Sequence, residues 1–200
     1  MKLGNFSSLL VAFSITVATM IAGAPSALAQ AAPRVKFATS AGDFVLELYP
    51  DQAPRTVDNF LQYVKDKHYD GTIFHRVINN FMIQGGGYDA KYNEKITRPP
   101  VVHEGREALA KGGGHNVVGT VAMARTNDPQ SATAQFFINV KDNAFLDPTP
   151  QQAGYTVFGK VVQGMDVVQK IKTTATGAGG PFASDVPKTP VLINTATLVK

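Results

Sequence analysis

The stretch that most constrains this chain is Phe74 to Gly87, FHRVINNFMIQGGG. Phe74-His75-Arg76-Val77-Ile78 is an apolar run that carries a His-Arg pair. Asn79-Asn80 follows, two turn-prone residues, and then a second run, Phe81-Met82-Ile83-Gln84, closed by Gly85-Gly86-Gly87. Short β-rich runs bounded by Asn and Gly read as two strands joined by a turn. Side chains alternate along a strand, so Phe74, Arg76 and Ile78 are expected on one face of the first, and Met82 and Gln84 on one face of the second. If the strands are neighbours, Arg76, Met82 and Gln84 line one patch. It would hold a fixed cation, an apolar surface and a side-chain amide, with no thiol, acid or nucleophile. Such a patch is suited to binding and polarising a substrate rather than bonding to it.

The rest of the chain can be placed around that pair. Arg34 to Thr39 and Asp43 to Tyr49 alternate on either side of Ser40-Ala41-Gly42, which predicts a hairpin. From Asp51 to Lys67 the period becomes helical, with a stripe of Val57, Phe60, Leu61 and Val64 and Pro54 near the start. Lys91 to Gly114 is rich in Gly, Pro and charge and reads as loop. Thr120 to Ala124, Phe136 to Val140, Thr156 to Val162 and Val191 to Val199 read as further strands. Gly164 to Lys172 reads as a second helix with Met165, Val168 and Ile171 or Val167 inward, and Thr173 to Pro190 as loop. Many strands, two helices and no βαβ rhythm argue against a parallel sheet. The pattern alone leaves a closed antiparallel barrel or a sandwich.

The first 29 residues stand apart. Lys2 precedes an apolar run from Leu9 to Ala24, and Ala27-Leu28-Ala29 is an A-x-A cleavage site. This is the pattern of a secretory signal peptide, too short and poorly flanked for a stable span. The mature chain is expected to begin at Gln30 and to lie in the periplasm, with residues 30–200 as one domain. The full 200-residue chain is 44% hydrophobic, enough apolar material for one core. It has no cysteine, which excludes disulfides and thiolate chemistry. The formal net charge of +4 comes without a Lys/Arg run interleaved with aromatics, so no nucleic acid is implied. None of the four histidines pairs at helical spacing with a partner set, so no metal and no cofactor are expected. The triple glycines do not sit between a strand and a helix, as a phosphate cradle requires.

FHRVI-x-x-FMIQGG resembles the signature of the cyclophilin-type peptidyl-prolyl cis-trans isomerases. Gly119 to Val140 (GTVAMARTNDPQSATAQFFINV) and the AFLD…YTVFGKV pattern within Asn143 to Val161 resemble that family's next segments, in order. The resemblance covers nearly all of Arg34 to Val199 and looks most like the bacterial exported branch. It implies a mainly β fold, a closed eight-stranded antiparallel barrel capped by two helices. It implies rotation of X-Pro bonds in proline-containing, unfolded or partly folded polypeptides, by a monomer, in the folding of exported proteins. Arg76, Phe81 and Gln84 are the implied catalytic residues, with Arg76 aimed at the proline nitrogen. Phe81, Met82, Phe137 and Leu146 match the proline pocket. Gln84 and Gln135 match the amides that hold the substrate backbone, and Ala124 and Arg125 the strand end that pairs with the peptide. Phe145 and Tyr155 complete the substrate-binding set. His75 belongs to the motif and is counted with that set, although alternation turns it away from Arg76 and favours a buried structural role.

The chain departs from the family's familiar eukaryotic pattern. Phe145 stands for Trp, Arg125 for Asn, Tyr155 for His, and Asn79-Asn80 for Pro-Gly. The missing Trp implies weak binding of the cyclic peptide cyclosporin. Two other readings come from the residues. A chaperone that only holds proline-containing segments would not need Arg76, and a hydrolase would need a catalytic triad or a metal arrangement that this sequence lacks.

Overall fold

The computed structural model describes Met1 and residues 32–199; the signal-peptide expectation lies outside them. Arg34–Thr39 (β1) and Gly42–Leu48 (β2) form the expected hairpin, with Phe37 opposite Phe44 and their rings stacked 5.1 Å apart. Pro54–Lys65 (α1) follows, with Pro54 in its first turn and Val57, Phe60, Tyr63 and Val64 buried. Its N-cap, Ala53, offers no side-chain acceptor. The acceptor comes from far along the chain. Buried Glu104 takes hydrogen bonds from the Arg55 and Thr56 amides at 3.1 and 2.7 Å and from the Thr56 hydroxyl at 2.7 Å. An acid there satisfies amides that the helix leaves unpaired and faces the positive end of its dipole.

The main sheet continues through Thr72–Ile73 (β3), Arg76–Ile78 (β4), Met82–Gly85 (β5), Thr120–Met123 (β6), Phe136–Asn139 (β7), Val157–Gln163 (β8) and Leu192–Val199. Thr176–Gly179 (β9) and Phe182–Pro187 (β10) pair only with each other, and Leu192–Val199 is therefore β11. The strand order is β3-β11-β1-β2-β8-β6-β7-β5-β4, antiparallel throughout.

This corrects the expected closed barrel of eight strands. The sheet has nine strands and curls strongly, but its two edges, β3 and β4, are not joined by a ladder. They are consecutive in sequence, separated by Phe74-His75, so the seam runs through the signature itself, and the segment after β5 meets β3 there through the Ile73 amide on the Tyr88 carbonyl at 2.9 Å and a bridge between Thr72 and Asp89. The helix count is also corrected. Gly105–Ala110 (α2) lies in the segment expected to be loop, and Met165–Lys172 (α3) is the second expected helix, with Val168 and Ile171 buried. The expected loop from Thr173 holds the β9–β10 hairpin.

Inside the curl, Phe37, Phe60, Tyr69, Phe74, Phe136 and Phe158 pack ring against ring with centroids mostly 5–6 Å apart. Alternation then produces a second, smaller apolar cluster on the opposite face of the same strands. Met82, Ala122, Phe137 and Val157 point away from the core, while their neighbours Ile83, Val121, Phe136 and Phe158 point into it. Large apolar side chains on the outer face of a sheet need cover, and here Leu146 and Tyr155 supply part of it.

Candidate active site

The uncovered part of that outer cluster is a hollow lined by Arg76, Phe81, Met82, Gln84, Ala124, Arg125, Phe137, Leu146 and Tyr155. The register explains why they meet. Arg76 lies opposite Gln84, and Ile78 opposite Met82, across the β4–β5 turn. Gln84 lies opposite Phe137, and Phe137 opposite Ala122. Asn80 makes the turn with a φ of 64°, a left-handed conformation that Asn tolerates, and the Phe81 amide closes it on the Ile78 carbonyl at 3.0 Å.

Phe74 does not share the face of Arg76 and Ile78, as strict alternation predicted. The strand breaks at Phe74-His75, and Phe74 turns fully into the core. His75 is buried away from the hollow, 4.8 Å from the ring of Tyr88 and 5.4 Å from that of Phe182. Its place among the substrate-binding residues is thereby corrected to one behind them. Burial pushes its pKa down to about 4, against a partly offsetting hydrogen bond to the Ile73 carbonyl, and Nδ1 has no partner.

Arg76 is half-buried. Among the described residues it forms no ion pair, and its one side-chain hydrogen bond is a long one, Nη1 to Gln84 Oε1 at 3.5 Å. Gln84 donates in turn to Gln135 Oε1 at 3.0 Å. A guanidinium has five N–H donors, so most of this fork faces the hollow unspent. Beside it, Met82 and Phe137 are nearly fully buried and form an apolar floor.

Two lining residues also carry contacts of the fold. Arg125 spends its guanidinium on the fold. Nε and Nη2 donate to the Gly154 carbonyl at 3.1 and 2.9 Å, and Nη1 donates to the Thr126 carbonyl at 2.8 Å. Its Cζ lies 4.5 Å from the centre of the Tyr155 ring, and Tyr155 meets Phe137 edge-on at 5.5 Å. Arg125 is therefore a brace between two walls. The Ala124 amide is likewise used, donating to the Gln135 carbonyl at 2.9 Å. Gln135 lines an adjoining polar hollow with Glu94, Thr97 and Thr126. Phe145 is largely exposed at the rim, its ring stacked 5.7 Å from that of Phe81.

Sequence reasoning missed the layer beneath. Asn139 and Asn143 are buried. Asn143 Nδ2 donates to Asn139 Oδ1 at 2.7 Å and to the Phe81 carbonyl at 2.9 Å. Asn139 Nδ2 donates to Asn116 Oδ1 at 3.2 Å, and Asn116 donates twice to Asp147 Oδ1. Burial raises the Asp147 pKa, but the Asn116 and His115 hydrogen bonds outweigh it and hold the carboxyl below its ordinary value. The signal was available: polar residues in an otherwise apolar strand end, Phe136-Phe137-Ile138-Asn139.

The model of the cyclophilin-type peptidyl-prolyl cis-trans isomerase family matches residues 34–198. The chain belongs to that family. It is 55% identical over 168 residues to a peptidyl-prolyl cis-trans isomerase of Streptomyces antibioticus, covering 82% of this chain and 98% of that one. It is 45% identical over 194 residues to peptidyl-prolyl cis-trans isomerase A of Dickeya dadantii, covering 97% and 99%. With isomerase B of Escherichia coli the identity is 52% over 167 residues, covering 82% and 98%. A cyclophilin-type isomerase of Cryptosporidium parvum superposes with a TM-score of 0.64 at 22% identity, over 84% of this chain and 98% of that one, a likeness of fold. Cyclophilin membership thus agrees with the hollow, which offers a cation and an apolar floor and no nucleophile.

Proposed function

We propose that this cyclophilin catalyses cis–trans rotation of X-Pro bonds in unfolded or partly folded polypeptides, with Arg76 as the polarising group. Rotation about a peptide bond meets a barrier of roughly 18–20 kcal/mol because the nitrogen lone pair is shared with the carbonyl. X-Pro bonds exchange over about 10–100 s, slowly enough to limit folding. A catalyst must bind the twisted bond better than either planar form. In that twisted state the lone pair is localised on nitrogen and can accept a hydrogen bond. Arg76 supplies the donor, Phe81, Met82 and Phe137 hold the proline ring, and Gln84 and Gln135 hold the substrate backbone while the acyl side turns.

The observation that carries this reading is the unspent guanidinium of Arg76 next to a floor of two apolar side chains. A module that only held proline segments would have no use for that charge. The signal-peptide pattern supports an exported enzyme whose substrates are newly translocated chains in the periplasm. A protease-coupled assay on a short X-Pro peptide tests the activity; a folded, purified protein that leaves the rate of isomerisation unchanged would overturn it.

A further inference from the structure

The cation of this site stands on a short edge strand of the sheet. β4 has three residues, pairs with β5 alone, and forms one edge of the seam. An edge strand that short has little to fix its position. Yet His75, next to Arg76 and within the seam, is 2% exposed. What buries it is the β9–β10 hairpin, which is hydrogen-bonded to no other strand.

Phe182, first residue of β10, stacks on His75 with ring centroids 5.4 Å apart and an interplanar angle of 26°. Tyr88 completes the trio, edge-on to Phe182 at 5.1 Å and to His75 at 4.8 Å. The turn of the hairpin is built around a further ring. Gly180, with a φ of 51°, lies so close to Tyr92 that a Cβ there would collide with that ring. The hairpin is thus keyed against His75 within the seam and against Tyr88 and Tyr92 of the segment that follows β5.

We infer that the β9–β10 hairpin locks the seam, and that Phe182, acting through His75, is a positioning residue that holds Arg76 in register with Gln84. The inference rests on the role proposed for Arg76 above. Positioning matters because a polarising donor must meet the proline nitrogen within a fraction of an ångström, and a displacement of about 1 Å can cost on the order of 100-fold in rate. The floor of the hollow belongs to β5 and β7, which the hairpin does not hold, so peptide binding should feel its loss much less than turnover does.

The test is a double-mutant cycle between Phe182 and Arg76, read as kcat and KM in the coupled peptide assay with circular dichroism to confirm folding. Phe182→Ala should lower kcat about tenfold or more with KM changed less than about threefold, and Phe182→Tyr, which keeps the ring, should restore kcat. In an Arg76→Ala background, Phe182→Ala should have almost no further effect on kcat, since there is no guanidinium left to misplace. If Phe182→Ala does not fold, Phe182→Leu is run through the same cycle, with a smaller loss of kcat expected. A folded Phe182 variant with wild-type kcat, or losses that multiply in the double variant, overturns the seam lock alone. Wild-type turnover in Arg76→Ala overturns the role of Arg76 and the lock together.

Discussion

Arg76 and Gln84 face each other across β4 and β5, with guanidinium Nη1 3.5 Å from the amide Oε1. The contact is too long to satisfy the cation. It orients the fork and leaves its donors for a substrate. If Arg76 acts on the twisted bond, Arg76→Ala should fold normally and lose about 30- to 1000-fold in kcat/KM, the worth of a charge-assisted hydrogen bond of about 2–4 kcal/mol in a partly desolvated site. Arg76→Lys should recover little, because an ammonium lacks the planar fork. Near-wild-type turnover in folded Arg76→Ala would remove the electrostatic mechanism, and near-wild-type turnover in Arg76→Lys would remove the need for the planar fork.

Phe145 offers the rim a ring smaller than indole and without its N–H donor. Cyclosporin should therefore inhibit weakly. Phe145→Trp should lower the inhibitory concentration, measured by titrating activity with the drug. An unchanged titration would place the determinant elsewhere.

Asn139 and Asn143 should matter more than their distance from substrate suggests. Asn139→Ala removes the acceptor of Asn143 Nδ2 and one donor to Asn116, leaving buried polar groups unpaired. The cost should be about 2–3 kcal/mol in urea unfolding. Because Asn143 also holds the Phe81 carbonyl, KM for peptide should rise as well. A variant as stable as the wild type would mean that water replaces the lost contacts.

Acid should weaken the fold through its buried histidines. Burial lowers the pKa of His75 to about 4 and lowers those of His68 and His103. In each case the unfolded chain binds a proton that the folded chain refuses. Stability is therefore full above the ordinary histidine pKa of about 6.5 and falls as the pH drops towards the folded value. For His75 the loss amounts to about 3 kcal/mol at most. Asp147 acts in the same sense lower down, its contribution lost as the pH falls through its depressed pKa. Urea midpoints at pH 7 and pH 5 should differ, and His75→Phe should narrow the gap. An equal gap in that variant would assign the effect to other groups.

Export makes a separate prediction. Protein recovered from the cell envelope should begin at Gln30 by N-terminal sequencing. An intact Met1 there would contradict cleavage after Ala29.

The parts that could be read in the sequence are those held by neighbours in the chain. The β1–β2 hairpin, the buried stripe of α1 and the β4–β5 pair each follow from a short-range pattern, and so do Arg76, Met82 and Gln84 on one face. What could not be read depends on distant partners. The β9–β10 hairpin has the composition of a loop, and it is kept in place by Phe182 against His75 and Tyr88. α2 is too short for a periodic stripe, and it begins directly after Glu104, whose side chain caps α1. Nothing local reveals that the Gly154 carbonyl would take donors of the Arg125 guanidinium. Whether the sheet closes depends on two residues, Phe74-His75, whose backbone leaves the strand.

The pairing of β1 with β11 sets an order of events. Arg34 lies opposite Val199 and Phe37 opposite Ala196, so the first strand of the sheet shares its ladder with the last. On a chain that emerges N-terminus first, β1 waits through more than a hundred residues for half of its partners. Contacts of such long sequence separation are slow to form. Until β11 arrives, β1 lacks its partner along one edge and the sheet cannot be completed.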